Sequence, residues 1–164
     1  MEKKYILNAA QIDFKIRRMA LEILERNQEC AHLILAGIAP HGLVLAARLL
    51  ETLSTAFGGK IDVISVKMDK KNPVHIELDQ DPGMEGATVV LIDDVANSGK
   101  TLTYALKPFL NGMPAKIQTC VLVERTHKKF PVQADYVGHS LATTIQEYIE
   151  VEEGEGALTG AWMA

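Results

Sequence analysis

The chain has 164 residues, 48% of them apolar and 23% charged, with a formal net charge of -4. That length suits one domain around one core, and the composition excludes disordered and low-complexity classes. No apolar run reaches the roughly 18 residues of a membrane-spanning helix, residues 1–7 do not read as a secretory leader, and the acidic balance argues at first sight against a nucleic-acid partner.

The first predicted element is a helix. Asn8 and Gln11 have the spacing of a capping box, and Ile12, Ile16, Met19, Ile23 and Leu24 then share one face until about residue 27. Residues 32–36 read as a buried strand closed by Gly37. Residues 43 to about 57 read as a helix stopped by Gly58-Gly59, and the apolar stripe over 43–53 is core. Residues 61–67 are strand-like. Val74, Ile76 and Leu78 alternate with His75 and Glu77, the pattern of a half-exposed strand. Residues 88–92 form a second buried strand, followed by a helix over about 99–110 that is irregular near Pro108. Residues 117–123 form a third, and 136–138 and 145–151 are shorter strand patterns. Beyond them lies an acidic, Gly-containing tail with Trp162, for which no role follows. No repeat or linker divides the chain, so residues 1–164 read as a single domain.

Strand and helix alternate, which predicts an α/β fold with a mostly parallel sheet covered on both faces. In such sheets ligands bind at the carboxyl ends of the strands. Chemistry is therefore expected just after residues 36, 67, 92 and 123. Cys30 and Cys120 stand alone, so neither a disulfide framework nor a thiolate metal site is expected, and a reducing cytoplasm fits. His32, His75 and His139 lack metal-ligand spacing and read as structural or surface residues, so no metal site is expected on the protein itself.

The densest signal runs Val89-Val90-Leu91-Ile92-Asp93-Asp94-Val95-Ala96-Asn97-Ser98-Gly99-Lys100-Thr101. Two acids close an apolar strand, and small and polar residues lead to a helix start. Unpaired N–H groups and the helix dipole make such a turn a phosphate cradle. Ser98 and Thr101 add hydroxyl donors, and Gly99 lets the backbone approach closely. Ionised Asp93 and Asp94 only accept hydrogen bonds, which suits neighbouring ribose hydroxyls. A Walker A reading fails: that motif needs Gly five residues before Gly99, and position 94 is Asp.

This segment resembles the phosphoribosyl-pyrophosphate (PRPP) signature of type I phosphoribosyltransferases: four apolar residues, two acids, then a small-residue turn through Gly to Thr. Residues 8–27, 33–50 and 121–138 are similar to the branch of that family that couples uracil phosphoribosyltransferase activity to regulation of pyrimidine genes. The resemblance implies the family's α/β fold, with helices flanking the sheet and a small hood or tail built from the acidic part, about 130–164. It implies that Asp93 and Asp94 hold the ribose 2′ and 3′ hydroxyls. Ala96, Asn97, Ser98, Gly99, Lys100 and Thr101 would wrap the 5′-phosphate, and Ala39, Pro40, His41 and Gly42 would bind pyrophosphate. His41, at a position where the branch carries a basic residue, is mostly neutral at pH 7 if nothing perturbs it.

Lys67 stands where the branch has Arg and, in a basic loop that closes over the reacting groups, would act with Asp93 and Asp94 in catalysis. Arg125, Tyr136, Val137 and Gly138 would frame the base. Asn97 replaces the Asp that hypoxanthine/guanine members use on a purine nitrogen, which counts against a 6-oxopurine. The implied reaction joins a nucleobase, uracil favoured, to PRPP with release of pyrophosphate, and uses Mg2+ carried by PRPP. A homodimer or larger assembly is implied as well.

The rival reading is a non-catalytic regulator that binds nucleotide or PRPP and RNA. Arg18 matches the branch's RNA face, but Leu21 replaces a His and Gln133 an Arg, so RNA binding ranks second. Transfer to another base stays open, since fold does not fix substrate. The net charge does not exclude RNA: residues 1–129 hold 17 basic and 15 acidic residues, and six acids with no base follow.

Overall fold

The structure is a computed structural model that describes residues 2–144 and 147–164. The chain runs β1 (Lys4–Asn8), α1 (Ala9–Arg26), β2 (His32–Ile38), α2 (His41–Leu53), β3 (Lys60–Met68), β4 (Ile76–Leu78), β5 (Thr88–Ala96), α3 (Lys100–Ala105), α4 (Lys107–Leu110), β6 (Lys116–Arg125), β7 (Tyr136–Leu141), β8 (Ile149–Gly154) and β9 (Ala157–Met163). Six strands form one sheet in the order β4-β3-β2-β5-β6-β7. All its pairings are parallel except that of the edge strand β4. The mostly parallel α/β sheet is as expected.

Side chains alternate across the central strands. Leu33, Leu35, Val90, Ile92 and Leu122 face the apolar sides of α1 and α2. Ile34, Ala36, Val89, Leu91 and Val121 face Leu102, Ala105 and Phe109 on the other side. Both faces are therefore buried, which explains why these strands read as continuous apolar runs. Helix α1 starts with the expected capping box, in which the Asn8 side chain accepts from the Gln11 N–H and Gln11 returns the bond, both at 2.9 Å.

Several boundaries differ from expectation. Helix α2 ends at Leu53, before residue 57. The Ser54 hydroxyl donates to the Glu51 carbonyl at 3.2 Å and that of Thr55 to the Thr52 carbonyl at 2.7 Å, bonds that compete with helical pairing. Strand β5 continues through both acids to Ala96, because Asp93 and Ala96 stay in register with Val121 and Glu124 of β6. The helix after Gly99 breaks at Leu106, two residues before Pro108. The strand expected over 145–151 begins at Ile149, and residues 145 and 146 lie outside the described residues.

The tail is not a loose appendage. Strands β8 and β9 form a hairpin through Glu155 and Gly156, both with positive φ as a two-residue type I′ turn requires. Strand β1, from the other end of the chain, adds to β9 and gives a second sheet in the order β1-β9-β8. Trp162 sits in β9 with the Lys3 ammonium 4.8 Å from its ring centre, and Lys3 also pairs with Glu152. This hood thus takes residues from both ends, while β7 at 136–141 belongs to the main sheet.

Candidate functional site

Gly37, Ser65 and Ile92 lie side by side in the register of β2, β3 and β5, so the segments that follow them open on one edge of the sheet. The approach is close. A Cβ on Gly42 would lie 2.4 Å from the Ile92 carbonyl oxygen, and one on Gly37 would lie 2.5 Å from the Leu43 Cα. Glycine at these two positions lets the start of α2 rest directly on the acidic end of β5. The turn formed by Ala39, Pro40, His41 and Gly42 is held beside β3 by the Ala39 N–H, which donates to the Val66 carbonyl at 2.9 Å.

Asp93 and Asp94 are both buried. The Lys70 ammonium is 3.0 Å from Asp93 Oδ1 and 3.7 Å from Asp94 Oδ1. Nδ1 of His41 is 3.0 Å from Asp94 Oδ2, and its Nε2 is 3.8 Å from Glu153 Oε2 in the hood. Asp93 is pushed up to about 7, first by burial and then by the charge of Asp94. Burial also presses Asp94 upward, but the hydrogen bond with His41, then Asp93 and Lys70, outweigh it and hold Asp94 low. The pair thus divides its protons unevenly, as adjacent buried carboxylates do.

His41 is raised above its ordinary value, chiefly by its hydrogen bond to Asp94, with burial opposing and the charges of Asp94 and Glu153 adding. It therefore holds a proton at higher pH than an isolated imidazole does. A raised histidine stabilises the fold fully below its free value and loses that contribution as pH rises through the folded value. The melting temperature gap between wild type and His41→Gln is accordingly larger at pH 6 than at pH 9. Equal gaps at the two pH values would show that charge on His41 plays no part in the contact.

Beyond the acids, Ala96, Asn97, Ser98, Gly99, Lys100 and Thr101 line a cavity of about 40 Å³ together with Asp93. Gly99 has φ 84°, a left-handed conformation that glycine adopts without strain. The Ser98 carbonyl accepts from the N–H groups of Lys129 and Phe130 at 2.9 and 3.0 Å, which ties the turn to the segment after β6. A larger cleft of about 290 Å³ joins His41, Lys70, Asp93, Asp94, Asn97 and Thr101 under a roof of Ile149, Glu150 and Val151 from β8. Next to it, Asn97, Ser98, Arg125, His127 and Lys129 line a cleft of about 280 Å³.

The structure does not bring every expected residue to these clefts. Lys67 lies in β3 opposite Glu77, exposed and away from the acids, because the strand runs on to Met68. Lys70, one residue type in the same basic run, takes the position beside the carboxylates. Tyr136 is fully buried, with its hydroxyl between Gln118 and Asn27. The carbonyls of Val137 and Gly138 accept from Arg18 at 3.0 and 2.8 Å. Tyr136 thus packs on the α1 side of the sheet and the Val137 side chain on the other, both at the amino end of β7, and none of the three lines these clefts. Arg125 does reach the second cleft, yet its guanidinium is bonded to Asn97 Oδ1, Thr143 Oγ1 and the Thr144 carbonyl at 3.1, 2.7 and 3.0 Å. It positions Asn97 and the segment before β8. Sequence reasoning gave no site role to Glu153 or to the roof at 149–151, although 145–151 read as a strand and about 130–164 as a hood or tail.

The chain matches the family model "Phosphoribosyl transferase domain" over residues 3–154. It is 35% identical over 168 residues to the bifunctional protein PyrR of Enterococcus faecalis, covering 96% of this chain and 94% of the relative. A second relative, the pyrimidine operon regulatory protein of Lactococcus lactis subsp. lactis, is 35% identical over 164 residues, with 94% and 92% covered. Among solved structures, the hypoxanthine phosphoribosyltransferase of Trypanosoma cruzi superposes with a TM-score of 0.79 at 18% identity, over 96% of this chain and 95% of that one. A Bacillus anthracis hypoxanthine-guanine phosphoribosyltransferase gives 0.75 at 20%, over 98% and 99%. At such identities the two structures speak for the fold alone.

Proposed function

Because the chain belongs to the phosphoribosyltransferase family, with PyrR among its relatives, we propose that it transfers the phosphoribosyl group of PRPP to a nucleobase, uracil favoured, and releases pyrophosphate. The observation that carries this reading is the buried Asp93–Asp94 pair set between a phosphate-sized turn at 96–101 and the loop at 39–42. In this reading the two carboxylates accept hydrogen bonds from the ribose hydroxyls. The turn holds the 5′-phosphate, and His41 with the adjacent backbone receives the pyrophosphate.

The bond from C1 to the pyrophosphate oxygen breaks with its electron pair going to pyrophosphate, a bond from C1 to a base nitrogen forms, and the proton of that nitrogen passes to solvent or to the departing pyrophosphate. Positive charge grows on the ribose ring as pyrophosphate leaves, so the residues act mainly by positioning and electrostatics. Asp94, held ionised, supplies an anionic group for that charge. The β8 roof covers one side of the cleft. Among the described residues no group of three His, Cys, Asp or Glu side chains is placed to hold a metal ion, and the acids are already matched by Lys70 and His41. That donor set fits Mg2+ brought in on PRPP beside Asp93 and Asp94, where it would neutralise the leaving pyrophosphate.

The base belongs in the cleft of Asn97, Arg125, His127 and Lys129. Arg125 holds the Asn97 oxygen, so the Asn97 NH2 group is left to donate, as to a base carbonyl. Both cysteines are free, in keeping with a cytoplasmic place, and a homodimer or larger assembly belongs to the same reading. The test is chromatographic detection of nucleotide from Mg-PRPP with each common base. Product with uracil alone supports the proposal, and no product with any base overturns it.

A second reading, RNA-binding regulation, draws on the name of the Lactococcus lactis relative. Arg18, the basic residue that favoured it in sequence, is committed to Glu22 at 2.5 Å and to the two β7 carbonyls. RNA binding with a steep salt dependence would restore it.

A further inference from the structure

We propose that Lys70 is a displaceable plug that makes the sugar seat select ligands carrying pyrophosphate over those carrying ribose and a 5′-phosphate alone. The inference rests on the assignment of Asp93 and Asp94 to the ribose hydroxyls.

The Lys70 ammonium lies within 3.0 and 3.7 Å of oxygens on the two acids. It is a donor group at the place where sugar hydroxyls would donate. Asp93 Oδ1 already accepts from the Asp94 N–H at 2.9 Å as well as from Lys70, so a hydroxyl cannot simply be added there. A diol that uses these oxygens competes with the ammonium for them. Lys70 is itself held against burial by the two carboxylates, which raise its pKa, and it stays a cation when it leaves.

What Lys70 gains on leaving depends on the ligand. It sits two residues beyond β3, next to the loop at 39–42 that follows the neighbouring strand β2, and both line the same cleft as the acids. A ligand with pyrophosphate on C1 places a polyanion in that space, and the displaced ammonium exchanges one anionic partner for another. Ribose 5-phosphate has no charge there, and its own phosphate lies at the 96–101 turn, so the broken ion pair is not replaced. Lys70 is 41% exposed and stands on a short irregular segment between β3 and β4, so its side chain can swing without disturbing the sheet. Lys67, fixed in strand register opposite Glu77, has no such freedom.

The test compares binding of ribose 5-phosphate and of Mg-PRPP to wild type, Lys70→Met and Lys70→Arg by titration calorimetry, with circular dichroism and melting curves as controls of folding. Lys70→Gln replaces Lys70→Met if the latter does not melt cooperatively. Expected is ribose 5-phosphate binding at least threefold tighter in Lys70→Met than in wild type. The preference for PRPP over ribose 5-phosphate falls at least tenfold in Lys70→Met and is kept in Lys70→Arg. Equal or weaker binding of ribose 5-phosphate to Lys70→Met, or an unchanged preference, overturns the plug. Failure of the underlying assignment is seen separately: Mg-PRPP would then bind as tightly to a protein with Asp93→Asn and Asp94→Asn as to wild type.

Discussion

Exchanging Asp93 and Asp94 together for asparagine reduces Mg-PRPP affinity by about 100-fold or more while the protein stays folded. Each hydrogen bond to a charged acceptor contributes about 1.5–3 kcal/mol, and about 1.4 kcal/mol is a factor of ten, so two lost bonds reach that figure. Asparagine keeps one oxygen at each position. The Asp94 and Val95 N–H groups, which now donate to Asp93 Oδ1 and Asp94 Oδ1 at 2.9 Å, retain acceptors. Burial already presses Asp93 toward its neutral form, so removing its charge relieves desolvation, and Lys70 can turn to solvent. Calorimetric titration with Mg-PRPP, beside far-ultraviolet circular dichroism, measures both halves. Unchanged affinity in the folded double variant rejects the site.

Gly42→Ala is the largest expected effect on stability. The added Cβ meets the Ile92 carbonyl oxygen at 2.4 Å and the Asp93 Cα at 3.1 Å. Both atoms belong to the backbone of a central strand, so the start of α2 must move instead. Overpacking of this kind costs about 1–3 kcal/mol or more, and a chain of this length loses roughly 2–4 °C of melting temperature per kcal/mol. A drop of about 2–12 °C follows, together with a displaced 39–42 loop. Gly58→Ala is the control, because its Cβ would meet nothing within 4 Å. If the two variants melt alike in a scanning calorimeter, close packing of the loop on β5 is not what holds this edge.

The parts of the fold and site that were legible in sequence are those set by local pattern. The capping box at Asn8 and Gln11, the apolar strands and the Asp93–Thr101 segment each carry their signal within a dozen residues. The site's other half depends on contacts across the chain. Lys70 and Lys67 belong to one basic run, and only the length of β3 decides which of them meets the acids. Arg125 reads as a ligand contact by charge alone, yet its donors are consumed by Asn97 and by residues 143 and 144. Tyr136 opens the strand expected at 136–138, but its ring, expected at the base, turns inward to Asn27 and Gln118. The hood was expected from the acidic part alone, and the share of β1 in it was missed because β1 and β9 are short strands whose pairing partners lie at opposite ends of the described chain.

That pairing sets the order in which the site can be assembled. Lys4 stands opposite Met163, and Tyr5 opposite Trp162, contacts with nearly the greatest sequence separation this chain allows. Such contacts carry the heaviest loop-closure entropy and slow folding. The sheet and its acidic edge are built from far more local crossovers, such as β2 to β3 and β5 to β6. The seat for the sugar can therefore be complete before anything covers it, and adding the hood converts an open acidic ledge into a roofed cleft.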